Sequence, residues 1–244
     1  MKLRTLLVED EPLSQYYLNS LLLRLSNVDI VGTAATEDEA VAAITSLKPE
    51  LVFLDIELHS GTGFDVLRKT RHHQLSVVFT TALEQQAIRM IKLSGVPFLQ
   101  KPIDADELSA TVDEVSTGAG KGQTAQQHLL QTLDNGNVPQ RMLVREGNTS
   151  QYIELERIVH IASGDRTFIH LREGNTHTDG RSLKELESLL EDLRFFRCAA
   201  THLVNLKCVR SVSPDGQSLV LADGTSVPLS PKKREALLDE LARI

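Results

Sequence analysis

In the first half of the chain, hydrophobic residues form short continuous runs, and between these runs they recur every three or four positions. Short apolar runs bounded by Gly, Pro and charged residues are typical of strands buried on both faces, whereas the longer spacing predicts amphipathic helices. Five strands are predicted in this way, at Arg4–Val8, Asp29–Thr33, Leu51–Leu54, Ser76–Thr80 and Phe98–Gln100. Because strand and helix alternate, we expect an α/β doubly wound, five-stranded parallel sheet.

The pattern changes in residues 141–244, where short strand-like runs are separated by turn signals such as Asp215-Gly216 and Asp223-Gly224. This spacing predicts a mostly antiparallel β domain with tight turns. Ser182 and Glu185 form a capping box that predicts one helix, and a second helix is expected from near Pro231 to the end. Residues 119–140, rich in Gly, Gln, Thr and Asn, are interpreted as a linker with one marginal helical turn at most. The predicted domains are therefore residues 1–118 and 141–244.

The composition of the chain indicates the class of protein and its compartment. Of the 244 residues, 41% are hydrophobic and 24% charged, which is ordinary for a globular protein. The net charge of −7 comes entirely from residues 1–140, with 11 Lys/Arg and 18 Asp/Glu, because residues 141–244 hold 15 of each. Only Cys198 and Cys208 are present, and no apolar run is long enough to cross a bilayer. We therefore expect a cytoplasmic protein without membrane insertion.

Polar residues follow the predicted parallel strands at the points where these end. They are Glu9, Asp10, Asp55, Thr81 and Lys101. Taken alone, Asp55 could simply cap a turn. However, the carboxyl ends of parallel strands share one edge of the sheet, so these five side chains are expected to meet there. Three clustered carboxylates raise one another's pKa unless a cation is present, and their hard oxygens suit Mg²⁺.

With a magnesium ion and a phosphate bound, this cluster could carry out phosphoryl transfer. With the metal charge present, Asp55 can act as a nucleophile toward a phosphoryl group. The Lys101 ammonium and the Thr81 hydroxyl can then contact the phosphoryl oxygens. We therefore predict Asp55 as the phosphoacceptor, with Glu9, Asp10, Asp55 and the backbone carbonyl of Glu57 as metal ligands.

At these residues the chain resembles the receiver domain of bacterial two-component response regulators, over residues 3–118. The matching motifs are Glu9-Asp10, Asp55, Gly63 eight residues later, Thr81-Ala82 and Lys101-Pro102. The resemblance implies a flavodoxin-like fold, Mg²⁺ as the cofactor and a sensor histidine kinase as the phosphoryl donor. It implies no enzymatic activity beyond self-phosphorylation and self-dephosphorylation at the aspartate.

The same resemblance implies a conformational switch. Phe98 is expected to turn inward when the Thr81 hydroxyl moves, the Lys101-Pro102 peptide is commonly cis, and the phosphorylated protein is expected to form a homodimer. Two positions depart from the family pattern: His59 stands where a Pro is frequent, and Pro97 precedes the switch aromatic. We interpret His59 as a solvated loop residue.

Residues 141–244 resemble the LytTR DNA-binding domain, through the helix segment RSLKELESLL and the core residues Phe196-Arg197 and Leu203-Val204-Asn205-Leu206. The resemblance implies a β-rich fold that binds double-stranded DNA through loops, with dimers on repeated sites. Ala199-Ala200 departs from the pattern, because a His and a basic residue are usual there. Arg197 and Asn205 are interpreted as structural.

Basic and polar residues of the turns and of the start of the last helix are the candidate DNA contacts. They are Arg166, Lys232 and Lys233 for phosphates, and Thr201 and His202 for base edges. The leading hypothesis is a phosphorylation-controlled transcription factor. The alternative, favoured by Ala199-Ala200 and the zero net charge of this half, is a signalling protein whose β domain binds another protein.

Overall fold

The structure is a computed structural model that describes residues 2–82, 85–118, 121–147 and 149–243. The chain forms two compact units, Met1–Pro139 and Gln140–Ile244, which are described separately below. No helix within the described ranges is both long and apolar enough to cross a bilayer.

The first unit is a five-stranded sheet in the order β2-β1-β3-β4-β5, with every neighbouring pair parallel. This arrangement confirms the doubly wound sheet predicted from the sequence. The strands are β1 (Leu3–Val8), β2 (Val28–Ala34), β3 (Leu51–Asp55), β4 (Ser76–Thr81) and β5 (Phe98–Gln100). The helices are α1 (Pro12–Leu22), α2 (Glu37–Leu47), α3 (Gly63–Lys69), α4 (Gln85–Ser94), α5 (Ala105–Thr117) and α6 (Lys121–Asp134).

Both faces of this sheet are covered, which explains the continuous apolar runs of its central strands. Leu54 and Phe79 join a core that includes buried residues of α2, α3, α4 and α6. Phe53 and Val78, their neighbours along the strands, join a second core with residues of α1 and α5. Because successive side chains of a strand point to opposite faces, both must be apolar when helices cover both sides.

The prediction of a linker with a single helical turn is wrong for residues 121–134, which form helix α6. Its buried residues Ala125, Leu129, Leu130 and Leu133 belong to the core of the first unit. The buried side chain of Gln126 donates a hydrogen bond to the Leu75 carbonyl at 3.2 Å. The polar composition of this segment concealed one apolar stripe, and such a stripe is enough for a helix to pack on a core.

The second unit contains a five-stranded sheet in the order β10-β9-β8-β12-β11, a three-stranded sheet β13-β14-β15 and the hairpin β6-β7. All pairs are antiparallel, which confirms the predicted β architecture. The strands are β6 (Arg141–Glu146), β7 (Thr149–Glu154), β8 (Ile158–Ser163), β9 (Thr167–Leu171), β10 (Thr176–Asp179), β11 (Phe195–Ala199), β12 (His202–Asn205), β13 (Val209–Val212), β14 (Ser218–Leu221) and β15 (Ser226–Pro228). The helices are α7 (Leu183–Leu189) and α8 (Arg234–Leu241).

Local signals account for much of the second unit. The capping box is present: the Ser182 hydroxyl accepts from the Glu185 N–H, and the Glu185 carboxylate accepts from the Ser182 N–H. Strand β10 has the sequence Thr-His-Thr-Asp, which contains no apolar run, so the hydrophobic pattern does not predict it. Asn205 donates to the carbonyls of Leu155 and Ile158, at 3.4 and 2.9 Å, in agreement with a structural role.

Candidate functional site

Three carboxylates meet at the carboxyl edge of the parallel sheet. Glu9 and Asp10 directly follow β1, and Asp55 is the last residue of β3, which pairs with β1. Each residue offers an oxygen that lies within 4.8 Å of an oxygen of the other two. Glu9 is only 2% exposed and Asp55 only 5% exposed. Water therefore screens little of the repulsion between these two groups.

Lys101 supplies the counter-charge inside this cluster. Its ammonium nitrogen lies 2.5 Å from Oδ2 of Asp55 and 2.7 Å from Oε2 of Glu9. The backbone sets this position, because the Lys101 N–H donates to the Thr81 carbonyl at 2.8 Å, just after β5. The Lys101–Pro102 peptide is cis, as the family resemblance implied. One ammonium group balances one of the three negative charges.

The pKa values of the cluster reflect this imbalance. Burial, together with the charge of Asp55, raises the pKa of Glu9 to about 7. Burial lowers the pKa of Lys101, but its hydrogen bonds to Asp55 and Glu9 outweigh that effect, so the net pKa is raised. The cluster therefore favours additional positive charge, either a proton on Glu9 or a cation.

The donor set fits Mg²⁺, because this ion prefers hard carboxylate oxygens. Glu9, Asp10 and Asp55 would hold it, and the bound ion would add the missing positive charge and orient a phosphate oxygen. The Glu57 N–H donates to Oδ1 of Asp55 at 3.2 Å, so this backbone segment lies beside the cluster. The Glu57 carbonyl as a further ligand stays a prediction.

The two switch residues lie next to the cluster. Thr81 is 3% exposed at the end of β4 and pairs with Gln100, the residue before Lys101. Phe98 packs against the core on the α2–α4 side, and the Lys92 ammonium lies 5.1 Å from its ring centre. A hydroxyl and an aromatic ring therefore flank Lys101 on neighbouring strands, while their movement stays a prediction.

Two residues of the loop after Asp55 also shape the site. A Cβ on Gly63 would lie 2.2 Å from the Asp55 carbonyl oxygen, so only glycine allows the chain to approach there. The His59 side chain is 75% exposed, but its Nδ1 contacts Oδ2 of Asp10. This exposure agrees with the interpretation of His59 as a solvated loop residue. The sequence does not predict its contact with Asp10.

The candidate DNA residues of the second unit lie on turns and at the start of α8. Arg166 is exposed in the β8–β9 turn and Thr201 is exposed in the β11–β12 turn. The two turns adjoin, because the Ser163 N–H donates to the Thr201 carbonyl at 2.9 Å. Lys232 and Lys233 occupy a 3-10 turn, and the Lys233 ammonium lies 5.9 Å from the Phe196 ring centre on β11. Their contacts with DNA stay predictions.

The β11–β12 turn is organised by Arg197. Its guanidinium donates to the carbonyl of Ala199 at 2.8 Å and also to the carbonyl of Ala200. It forms an ion pair with Glu187 of α7 at 2.9 Å. The charge of Arg197 is thus engaged within the domain, in agreement with the structural role inferred from the sequence.

His202 belongs to a stack of three imidazole rings that the sequence did not reveal. The rings of His160 and His170 lie 4.1 Å apart and nearly parallel, and His202 is 6.0 Å from His160 on the other side. Strands β9, β8 and β12 are neighbours in the sheet, which brings together residues far apart in sequence. His202 is half-buried, and its Nδ1 lies 2.9 Å from the Thr201 hydroxyl. His202 is therefore partly engaged within the domain, and its contact with a base stays a prediction.

The histidine stack makes the second unit sensitive to acid. Burial lowers the pKa of His160 to about 4, and the charges of His170 and His202 act in the same direction, while Asp223 opposes them. The unfolded chain binds this proton with a pKa of about 6.5. The free energy of unfolding should therefore be highest above about pH 6.5 and fall as the pH drops toward 4. His160 alone should contribute a loss of about 1 kcal/mol between pH 7.5 and 5.5.

Urea unfolding of the full chain at these two pH values will measure the effect. His160→Gln removes the titrating ring and should show a weaker pH dependence than the wild type. His72→Gln, at an exposed position of the first unit, is the comparison variant and should change the pH dependence less than His160→Gln does. Equal pH dependence of His160→Gln and the wild type would contradict the interpretation.

Comparison with known protein families agrees with this geometry. Residues 5–113 match the family model of the response regulator receiver domain, and residues 149–242 match that of the LytTr DNA-binding domain. The sensory transduction protein LytT of Bacillus subtilis is 26% identical over 239 residues, which cover 93% of this chain and 94% of that protein. A response regulatory protein of Vibrio vulnificus is 28% identical, with 98% of both chains covered.

Each of the two units is similar to a different solved structure. The receiver domain of the Erythrobacter litoralis PhyR response regulator is 28% identical with a TM-score of 0.43, and the match covers 49% of this chain and 93% of that one. A LytTr DNA-binding domain from Bacillus cereus is 22% identical with a TM-score of 0.36, covering 43% of this chain and 98% of that one. The two family models confirm both resemblances inferred from the sequence: this chain joins a response regulator receiver domain to a LytTR DNA-binding domain, and its relatives include LytT-type response regulators.

Proposed function

We propose that this protein binds repeated promoter sites as a dimer, under the control of a phosphoryl group that a sensor histidine kinase transfers to Asp55. The observation that carries the proposal is the position of the Lys101 ammonium between the carboxylates of Asp55 and Glu9. A buried ammonium at this distance is suited to contact an oxygen of a group bound to Asp55.

The transfer follows from the groups around Asp55. A carboxylate oxygen attacks the phosphorus of the phosphohistidine, the phosphorus–nitrogen bond breaks, and an acyl phosphate forms. Lys101 then neutralises negative charge on the phosphoryl oxygens, and the Thr81 hydroxyl donates a hydrogen bond to one of them. Glu9, Asp10 and Asp55 would hold Mg²⁺, and its charge would support this chemistry.

Control of DNA binding requires that the phosphoryl group favour one of two receiver states. A phosphoryl group that binds Thr81 and Lys101 stabilises the state with Phe98 turned inward, and only this difference in affinity can move the equilibrium. A dimer of LytTR domains gains effective concentration on a repeated site without any new contact. Dimerisation therefore links receiver phosphorylation to promoter binding.

Selection of binding sites from random duplex DNA will test this function. We expect the chain loaded with Mg²⁺ and a phosphoryl analogue to enrich repeats of a short motif, and the unloaded chain to enrich them weakly. Sedimentation should show more dimer in the loaded sample. Identical enrichment and identical association in the two samples would refute control by phosphorylation.

Two observations favour a different role for the second unit. Residues 141–244 carry no net charge, and the turn that holds Ala199 and Ala200 presents no basic side chain of its own beyond the engaged Arg197. Binding of a protein partner instead of DNA would fit both facts. Under that alternative, no duplex sequence would be enriched with or without the phosphoryl analogue.

A further inference from the structure

The loop that follows β3 is held in place at both ends. Glu57 and Thr62 form an antiparallel β-bridge, which closes the loop between them. Leu58 is only 9% exposed and belongs to the core on the α2–α4 side. Gly61 has a φ of 79°, a conformation that glycine adopts readily, and it turns the chain back toward the bridge. His59 therefore lies at the tip of a closed loop whose backbone is anchored.

The parallel sheet brings this tip to the acidic cluster. Because β1 and β3 are neighbours, the loops that follow them lie side by side at the carboxyl edge of the sheet. There the Nδ1 of His59 contacts Oδ2 of Asp10. An ionised carboxylate can only accept hydrogen bonds, so the imidazole nitrogen is the donor. The Asp10 side chain is 18% exposed, so its end of this hydrogen bond is largely shielded from water.

The three carboxylates of the cluster thus have two different partners. The Lys101 ammonium contacts Asp55 and Glu9. Among the residues that the structure describes, His59 is the one polar partner of the Asp10 side chain. A carboxylate without a partner samples several rotamers, and binding of a cation must then fix one of them at an entropic cost. The contact with His59 restricts Asp10 before the ion arrives.

We propose that His59 is a positioning residue for Mg²⁺, which holds the Asp10 carboxylate in the orientation that binds the ion. Oδ1 of Asp10 makes no polar contact with a described residue and stays available to the metal. Hydrogen bonds from neighbouring residues commonly orient metal ligands in this way. A proline at position 59, frequent in the family pattern, would offer no side-chain donor. The proposal rests on the proposed function, which requires a cation at the acidic cluster.

Magnesium titrations of the full chain, followed by NMR at the backbone amides of Asp10 and Glu57, will test the proposal. His59→Leu keeps much of the bulk but removes the donor. We expect it to weaken magnesium binding about fivefold, less than at a buried site, because His59 is exposed to water. His59→Asn places an amide N–H near the position of Nδ1 and should restore affinity to within about twofold of the wild type. Rescue by asparagine separates a hydrogen-bonding role from a packing role, because asparagine restores the donor but not the ring.

His72→Leu is the matched control, because His72 is exposed and precedes β4, at the opposite edge of the sheet from the cluster. It should leave the magnesium affinity unchanged. If His59→Leu binds magnesium as tightly as the wild type or more tightly, or if His59→Asn is as weak as His59→Leu, the positioning role is wrong and the proposed function stands. If the wild type shows no magnesium-dependent shift at Asp10 or Glu57, the proposed function and the positioning role are both overturned.

Discussion

Asp55→Asn should abolish phosphoryl labelling of the full chain by a small phosphodonor in the presence of Mg²⁺. Asp55 is the acidic residue at which the Lys101 ammonium, the oxygens of Glu9 and Asp10, and the end of β4 converge. Asparagine keeps the shape of the side chain but removes the nucleophilic carboxylate oxygen. We therefore expect intact-mass spectrometry to show one added phosphoryl group on the wild type and none on the variant.

Asp29→Asn provides the control for this experiment. Asp29 is exposed on β2 and lies outside the acidic cluster, so its removal should leave labelling at the wild-type level. Equal thermal unfolding of Asp55→Asn and the wild type would show that the loss of label is chemical. Undiminished label in Asp55→Asn would disprove the assignment of the phosphoacceptor.

Gly63→Ala should destabilise the first unit and slow phosphorylation together. The added methyl group would lie 2.2 Å from the carbonyl oxygen of Asp55, which is backbone and cannot rotate away. Overpacking of this kind typically costs up to about 3 kcal/mol, which corresponds to a fall in unfolding temperature of about 10 °C. Relief of the clash requires movement of the Asp55 backbone, so the nucleophile should lose its position beside Lys101.

The matched control is Gly180→Ala, where an added Cβ meets no atom within 4 Å. Gly180 lies in the second unit, so this variant should leave the unfolding of the first unit and the labelling rate unchanged. Calorimetry and time-resolved mass spectrometry will measure the two effects. If Gly63→Ala retained wild-type stability and labelling, the close approach of Gly63 to Asp55 would have no functional consequence.

The receiver site was predictable because its residues lie at the ends of strands whose order and direction follow from the apolar pattern. Parallel strands force Glu9, Asp55, Thr81 and Lys101 toward one edge, whatever the details of the loops. What could not be predicted was the sharing of one ammonium between two carboxylates, and the contact of His59 with Asp10. Both depend on side-chain positions within a few ångströms, which no sequence spacing encodes.

Helix α6 shows how composition can conceal structure. Polar residues dominate the segment, yet Ala125, Leu129 and Leu133 recur every four positions and face the core beside α3 and α4. A short stripe is weak evidence in an isolated sequence, because an isolated helix of this length is only marginally stable in water. Burial against the receiver core supplies the stability that the segment lacks by itself.

The sequence by itself determined the two domain families, the parallel order of polar strand ends and the capping box of α7, because each depends on local spacing or on a run of apolar residues. Only the tertiary structure decided the histidine stack and the approach of the β8–β9 turn to the start of α7. His160, His170 and His202 meet because β8, β9 and β12 are neighbours in an antiparallel sheet. Arg166 and Lys184 line one surface because the β8–β9 turn lies across from the start of α7. Contacts between residues distant in sequence arise from strand pairing and packing, which local patterns do not specify.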